Sequence, residues 1–194
     1  MATIVDLCPR KMMKKGPVKA RPVRLSFLIF LLLFSCAGPS SSLRMEGTRI
    51  VEGVPFYPQE GYQCGPASLA GVLNYYGLGV TPADIAAEIF SRQARGTLDM
   101  DMLFYAQKRG MKAEQYGGSI EDLRHNIDSR QPLIILIDRG FWVYQKSHFM
   151  VVVGYDEKGV VVNSGKEEHQ LLSQESFAKI WEKTKFWTLK ITPP

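Results

Sequence analysis

An α+β fold is predicted from three features of this 194-residue sequence. Helical patterns crowd its first half, continuous apolar β-type runs crowd its second, and a short polar loop joins two of those runs as a hairpin. Helices packed on an antiparallel sheet follow from that order. The composition agrees, with 45% apolar and 22% charged residues, too apolar for wholesale disorder and of a length for one domain or at most two. No internal repeat is visible.

The first 35 residues do not belong to that fold. Seven basic residues, Arg10, Lys11, Lys14, Lys15, Lys19, Arg21 and Arg24, stand there against Asp6 alone. The net +6 exceeds the +5 of the whole chain, so residues 36–194 carry −1. A basic surface for nucleic acid is therefore not expected. The basic stretch runs into the apolar Leu25 to Phe34, the pattern of a secretory signal. As a helix that run spans only about 15 Å, half the hydrocarbon core. It ends in Leu33-Phe34-Ser35-Cys36-Ala37-Gly38, which resembles a bacterial lipobox, although Phe34 is bulkier than the usual small residue. The expectation is a signal over 1–35, lipidation at Cys36, a polar tether over 36–49 and a folded domain over 50–194. The protein is then an exported, membrane-anchored lipoprotein facing the periplasm or cell exterior.

Within the domain, Ile50 to Phe56 reads as a short edge strand closed by Pro58. Leu69, Val72, Leu73 and Tyr76 fall at i, i+3, i+4 and i+7, the buried face of a helix ending near Gly77. Pro66 suits its first turn, so Cys64 stands at or just before its N-terminus. Thr81-Pro82 opens a second helix, Leu98 to Arg109 forms a third, and Ser119-Ile-Glu-Asp starts a fourth in capping-box style. Leu133 to Ile137, His148 to Tyr155 and Val160 to Asn163 read as strands, with Asp156 to Gly159 as the loop between the last two. A helix from about Ser173 to Lys183 and a strand from Phe186 to Ile191 finish the chain.

Chemistry is suggested by the thiols. Of three cysteines, Cys8 leaves with the signal and Cys36 is lipidated, so Cys64 remains alone and no intrachain disulfide is expected. A lone thiol in an oxidising compartment is either buried or reactive. A helix N-terminus favours thiolate through its free N–H groups and partial positive charge. A base must come from His125, His148 or His169. His125 reads as a solvated helix residue and His169 lies among acids in a loop. His148 opens a buried strand after the aromatic loop Phe141 to Tyr144, and a strand end holds a base rigidly. Trp142 and Tyr144 could line a cleft or simply pack.

An oxyanion requires preorganised donors. Gln59, five residues before Cys64, could supply one, and adjacent Gln63 competes less well. Asn163 lies on the strand returning toward His148 and could orient the imidazole. Pairing Tyr155 with Val160, however, sets Asn163 opposite Val152 and about 13 Å from His148, unless a bulge or twist shortens the gap. Asp156 and Glu167 stay open for that role. No metal-ligand cluster or cofactor motif is present, so no metal or organic cofactor is implied.

The runs VPFYPQEGYQCGPASLAGVLNYYG (Val54 to Gly77) and HFMVVVGYDEKGVVVNSG (His148 to Gly165) resemble the bacteriocin-processing cysteine peptidases, family 39 of the papain-like group. The resemblance implies a papain-like fold with Cys64 as nucleophile, His148 as general base and acid, Gln59 as oxyanion donor and Asn163 as imidazole orienter. Asn163 stands where many relatives have Asp before Pro. No transporter spans or ATP-binding loop accompany the domain, so the leader-peptide substrate of the transporters is not implied. The expected function is a cysteine peptidase acting on peptide or protein substrates outside the cytoplasm, in a stand-alone form whose export partners are unknown. A cell-wall peptide amidase or transpeptidase, a non-catalytic peptide-binding module and a purely structural lipoprotein are the alternatives.

Overall fold

The computed structural model describes residues 47–59 and 63–194. The signal over 1–35, the lipidation site at Cys36 and all of the tether except 47–49 lie outside the described residues. The elements in chain order are β1 (Arg49–Ile50), α1 (Cys64–Tyr75), α2 (Pro82–Ile89), β2 (Phe90–Ser91), β3 (Gly96–Thr97), α3 (Asp99–Lys108) and β4 (Lys112–Gly117). They continue with α4 (Ile120–Asp128), β5 (Leu133–Asp138), β6 (Ser147–Tyr155), β7 (Gly159–Ser164), β8 (Glu167–Ser173), α5 (Gln174–Glu182) and β9 (Trp187–Thr192). An antiparallel sheet runs in the order β4-β9-β5-β6-β7-β8, and β1 joins the far end of β6. The α+β expectation holds.

The helix starts follow from capping chemistry. Thr81 and Asp84 form a reciprocal capping box at α2, and Ser119 accepts the Asp122 N–H at α4. Helix α1 differs from its expected single buried face, because every residue from Gly65 to Leu73 is buried. It is the central helix, packed on β6 and flanked by α2 and α3. Close approach explains its small residues: a Cβ on Gly71 would lie 2.9 Å from the Pro55 carbonyl oxygen, and one on Gly65 would lie 2.8 Å from Thr97 Cβ. Asn74 ties the incoming segment to this helix, donating from Nδ2 to Tyr57 Oη at 2.6 Å.

Three expectations change. The strand foreseen over 50–56 is only Arg49–Ile50, extended by one bond from Val51 N to Val153 O, so ordered pairing also reaches into the foreseen tether. Strands β4 and β8 were not foreseen. Their sequences, KAEQYG and EEHQLLS, are polar and half exposed, so neither makes the apolar run that identifies a buried strand. His169 consequently lies on β8 rather than in a loop. Last, β6 carries a bulge: Tyr155 and Gly154 pair with Val160 and Val161, but Val152 and Val151 pair with Val162 and Asn163, leaving Val153 unmatched.

Candidate active site

Cys64 is the first residue of α1, and Gln63 caps the helix without a side-chain bond. The thiol is free and half-buried. Burial pushes its pKa up, opposed by the backbone N–H groups of Phe149, Gly65 and Cys64 and by the charge of Arg139. Desolvation of the thiolate prevails over the helix terminus, and the resting group is a neutral thiol. The Phe149 contact places the sulfur beside the backbone of the residue that follows His148.

His148 is the second residue of β6 and is half-buried. Its pKa falls to about 4, first through burial and then through the positive charges of Arg139 and Lys146. No carboxylate opposes these effects. The imidazole is therefore neutral at physiological pH and free to take a proton, though weakly basic.

The group that holds it is Ser164. His148 Nε2 lies 2.9 Å from Ser164 Oγ, and Arg139 Nη2 donates to the same oxygen at 3.0 Å. A hydroxyl oxygen accepts from both when Nε2 carries the imidazole proton, which leaves Nδ1 with a lone pair. The hydroxyl could instead donate to Nε2, so it fixes the tautomer less firmly than an anion would.

Asn163, foreseen in this position, is not there. It pairs with Val151, three residues from His148, and alternation therefore sends its side chain to the opposite face of the sheet. Its Oδ1 accepts the His169 N–H at 3.0 Å. The bulge at Val153 moves β7 by one residue and brings Ser164 to the imidazole face. A signal for this stood in the sequence: a lone glycine inside a strand marks a bulge or close approach, and a Cβ on Gly154 would lie 2.5 Å from the Arg49 carbonyl oxygen. Asp156 is occupied at the other end of the hairpin, where Oδ1 accepts from Lys158 N and Gly159 N at 2.7 and 2.8 Å. Glu167 pairs with Ser164 across β8, is exposed, and acts on Arg139 rather than on His148. His125 and His169 are exposed.

Gln59 is anchored to the same strand end. Its N–H donates to the Gly165 carbonyl at 2.7 Å and its Oε1 accepts the Gly165 N–H at 3.2 Å. With Oε1 engaged, Nε2 is left as the donor. Gly165 turns with φ of 63° between β7 and β8, a conformation natural to glycine. Gln59, Ser164 and His148 are thus tied to one corner of the sheet, and Gln63 is exposed outside it. Arg139, which the sequence reading passed over, reaches both Ser164 and the electrostatic environment of the thiol.

Comparison with known proteins places the fold and the family. A protein from Methanothermobacter thermautotrophicus, described only as uncharacterized, is 28% identical over 120 residues, covering 62% of this chain and 77% of that one. Among solved structures, a candidate C39-like peptidase from Bacillus anthracis superposes with a TM-score of 0.63 at 20% identity, covering 76% of this chain and 98% of that one. The peptidase domain of Streptococcus ComA, a bifunctional ABC transporter of a quorum-sensing pathway, gives 0.62 at 21% identity over 73% of this chain and all of that domain. A double-glycine-motif protease from an AMS/PCAT transporter, solved with its leader peptide, gives 0.59 at 25% identity over 73% of this chain and 93% of that one. The fold is that of the C39 papain-like peptidases. The Peptidase C39-like family matches residues 51–188, and the chain belongs to it.

Proposed function

We propose that the protein is a cysteine-type peptidase that cleaves peptide substrates outside the cytoplasm. The observation that supports this reading is that a free thiol at the N-terminus of α1 lies against the backbone N–H of Phe149, the residue next to a neutral His148 imidazole whose Nε2 is held by Ser164. His148 takes the proton from Cys64 as sulfur attacks the scissile carbonyl. The Cys64 and Gly65 amides and Gln59 Nε2 are the donors available to the oxyanion. The imidazolium then protonates the leaving amine, and water activated by His148 releases the acyl group from sulfur. Because thiol and imidazole are both neutral at rest, proton transfer accompanies attack rather than preceding it. The exported, Cys36-lipidated setting belongs to the same proposal and is supported by the pattern of residues 10–38.

The test is trapping of an acyl-enzyme. Incubation with a peptide library followed by mass spectrometry should find acyl adducts on Cys64 and cleaved peptides in solution. Equal cleavage by the Cys64→Ala variant overturns the proposal. One observation favours a second reading, a peptide-binding module with attenuated chemistry: a hydroxyl beside Arg139, rather than a carboxylate, faces the imidazole. Saturable peptide binding without any adduct identifies that case.

A further inference from the structure

The hairpin between β5 and β6 ends in Phe141, Trp142, Val143 and Tyr144, exposed by 86, 92, 88 and 70%. These are four of the seven large exposed hydrophobic residues among the described residues, and they are consecutive. The remaining three, Leu98, Met100 and Phe104, are spread along another segment. Such a cluster on one loop marks an interaction site rather than the ordinary scatter of surface apolar atoms.

The hairpin is built to hold these residues outward. Buried Asp138 accepts from Gly140 N at 2.7 Å and Lys146 N at 2.8 Å, and Arg139 N donates to Lys146 O at 3.0 Å. Lys183, at the end of α5, donates from Nζ to Gly140 O at 2.7 Å. Phe141 and Tyr144 bridge across the tip, and Trp142 takes a left-handed φ of 55°, rare for an aromatic residue. The tip is convex, so it cannot enclose a peptide. A convex apolar tip with Trp and Tyr suits a soft interface in which one side of each ring is apolar and the other wet. Its base carries two exposed lysines: Lys146 follows the four residues in sequence and Lys183 bonds to the base itself, while Asp138 faces inward onto backbone amides and the Arg139 guanidinium is turned to Ser164. An apolar tip above a basic collar is complementary to an anionic lipid surface, with the rings among the acyl–headgroup boundary and the cations at the phosphates.

We infer that the Phe141–Tyr144 tip docks this domain onto an anionic lipid bilayer surface. This stands independently of the peptidase reading. The returning arm of the hairpin leads directly into Ser147 and His148, so docking sets the His148 end of β6 toward the membrane.

The test uses the full chain with vesicles of phosphatidylcholine alone or with added phosphatidylglycerol. An N-terminal anchor would hold the chain on either vesicle, so the readout is local to the tip. Trp181 is buried and Trp187 half-buried, which leaves Trp142 as the exposed indole, and a Trp142→Phe variant assigns its share of the fluorescence. Brominated lipids should quench Trp142 on anionic vesicles, and the same vesicles should shield it from aqueous iodide. Lys146→Glu should weaken the lipid concentration dependence about tenfold. Trp142 that stays open to iodide and unquenched by bromine on both vesicles overturns the inference. So does protection of Trp142 by a protein partner alone. Equal quenching on both vesicle types overturns the anionic assignment.

Discussion

Cys64 arrives at the site on a helix whose next nine residues, Gly65 to Leu73, are all buried, whereas His148 arrives at the open end of β6 beside an exposed hairpin. The helix wall is apolar and over-determined by packing, with backbone pressed against the residues at positions 65 and 71. The sheet wall is polar and held by shared bonds, one hydroxyl serving both Arg139 and His148. Rigidity on one side and adjustable polarity on the other mean that the position of the Cys64 thiol is set by shape. The basicity of the imidazole, by contrast, is set by its burial and by the charges around it. Changes to the first wall should cost stability or all activity, and changes to the second should tune pH dependence.

The largest expected effect is on the helix wall. Cys64→Ala should lower kcat/KM by about a thousandfold or more, with little change in Tm because a small apolar group replaces a small apolar group. Next, Gly71→Ala should destabilise the fold by about 2–3 kcal/mol, read from the denaturation midpoint, because its new Cβ meets a backbone carbonyl that cannot yield. An unchanged midpoint would break the claim that α1 is fixed by close packing.

On the sheet wall, acid should act through His148. Its native pKa of about 4 lies below the ordinary 6.5, so between those values the unfolded chain binds a proton that the native imidazole refuses. Stability from this group is complete above about pH 6.5 and is lost as pH falls toward 4, by about 2 kcal/mol after allowing for partial exposure. Comparing wild type with His148→Gln at pH 7 and pH 4.5 isolates that contribution. The smallest effect sharpens the assignment of faces. Ser164→Asp should raise the imidazole pKa by about two pH units and increase neutral-pH activity about tenfold. Asn163→Asp, on the other face, should leave the acid limb of the rate profile where it is. Equal displacement by both variants would refute the bulge-shifted register as the source of Ser164's role.

The same contrast decides how much was legible in the sequence. Cys64, Pro66 and the i, i+3, i+4 spacing of Leu69, Val72 and Leu73 are local signals, and the helix they announce is present within two residues. The buried strands β5, β6 and β7 announced themselves as apolar runs. Ser164 did not, because its position depends on Val153 dropping out of register between two strands, a non-local event signalled only by Gly154. Strands β4 and β8 stayed hidden because polar edge strands satisfy their backbone without apolar periodicity. Whether burial or the helix terminus would govern the thiol was equally unreadable, since it depends on what covers the sulfur.

The placement of β9 has a consequence for how the chain comes into being. This strand, Trp187–Thr192, lies between β4 and β5 and bonds to both. Until it is made, the apolar β5 is a bare sheet edge inviting other chains. Nothing earlier in the sequence can take its place, because β4 reaches the sheet only through it. The nascent polypeptide therefore carries its thiol for more than a hundred residues before the wall opposite is complete, and a chain shortened by its last dozen residues should aggregate rather than fold. Synthesis and assembly are separated in time, and the sheet closes only when the last strand has been made.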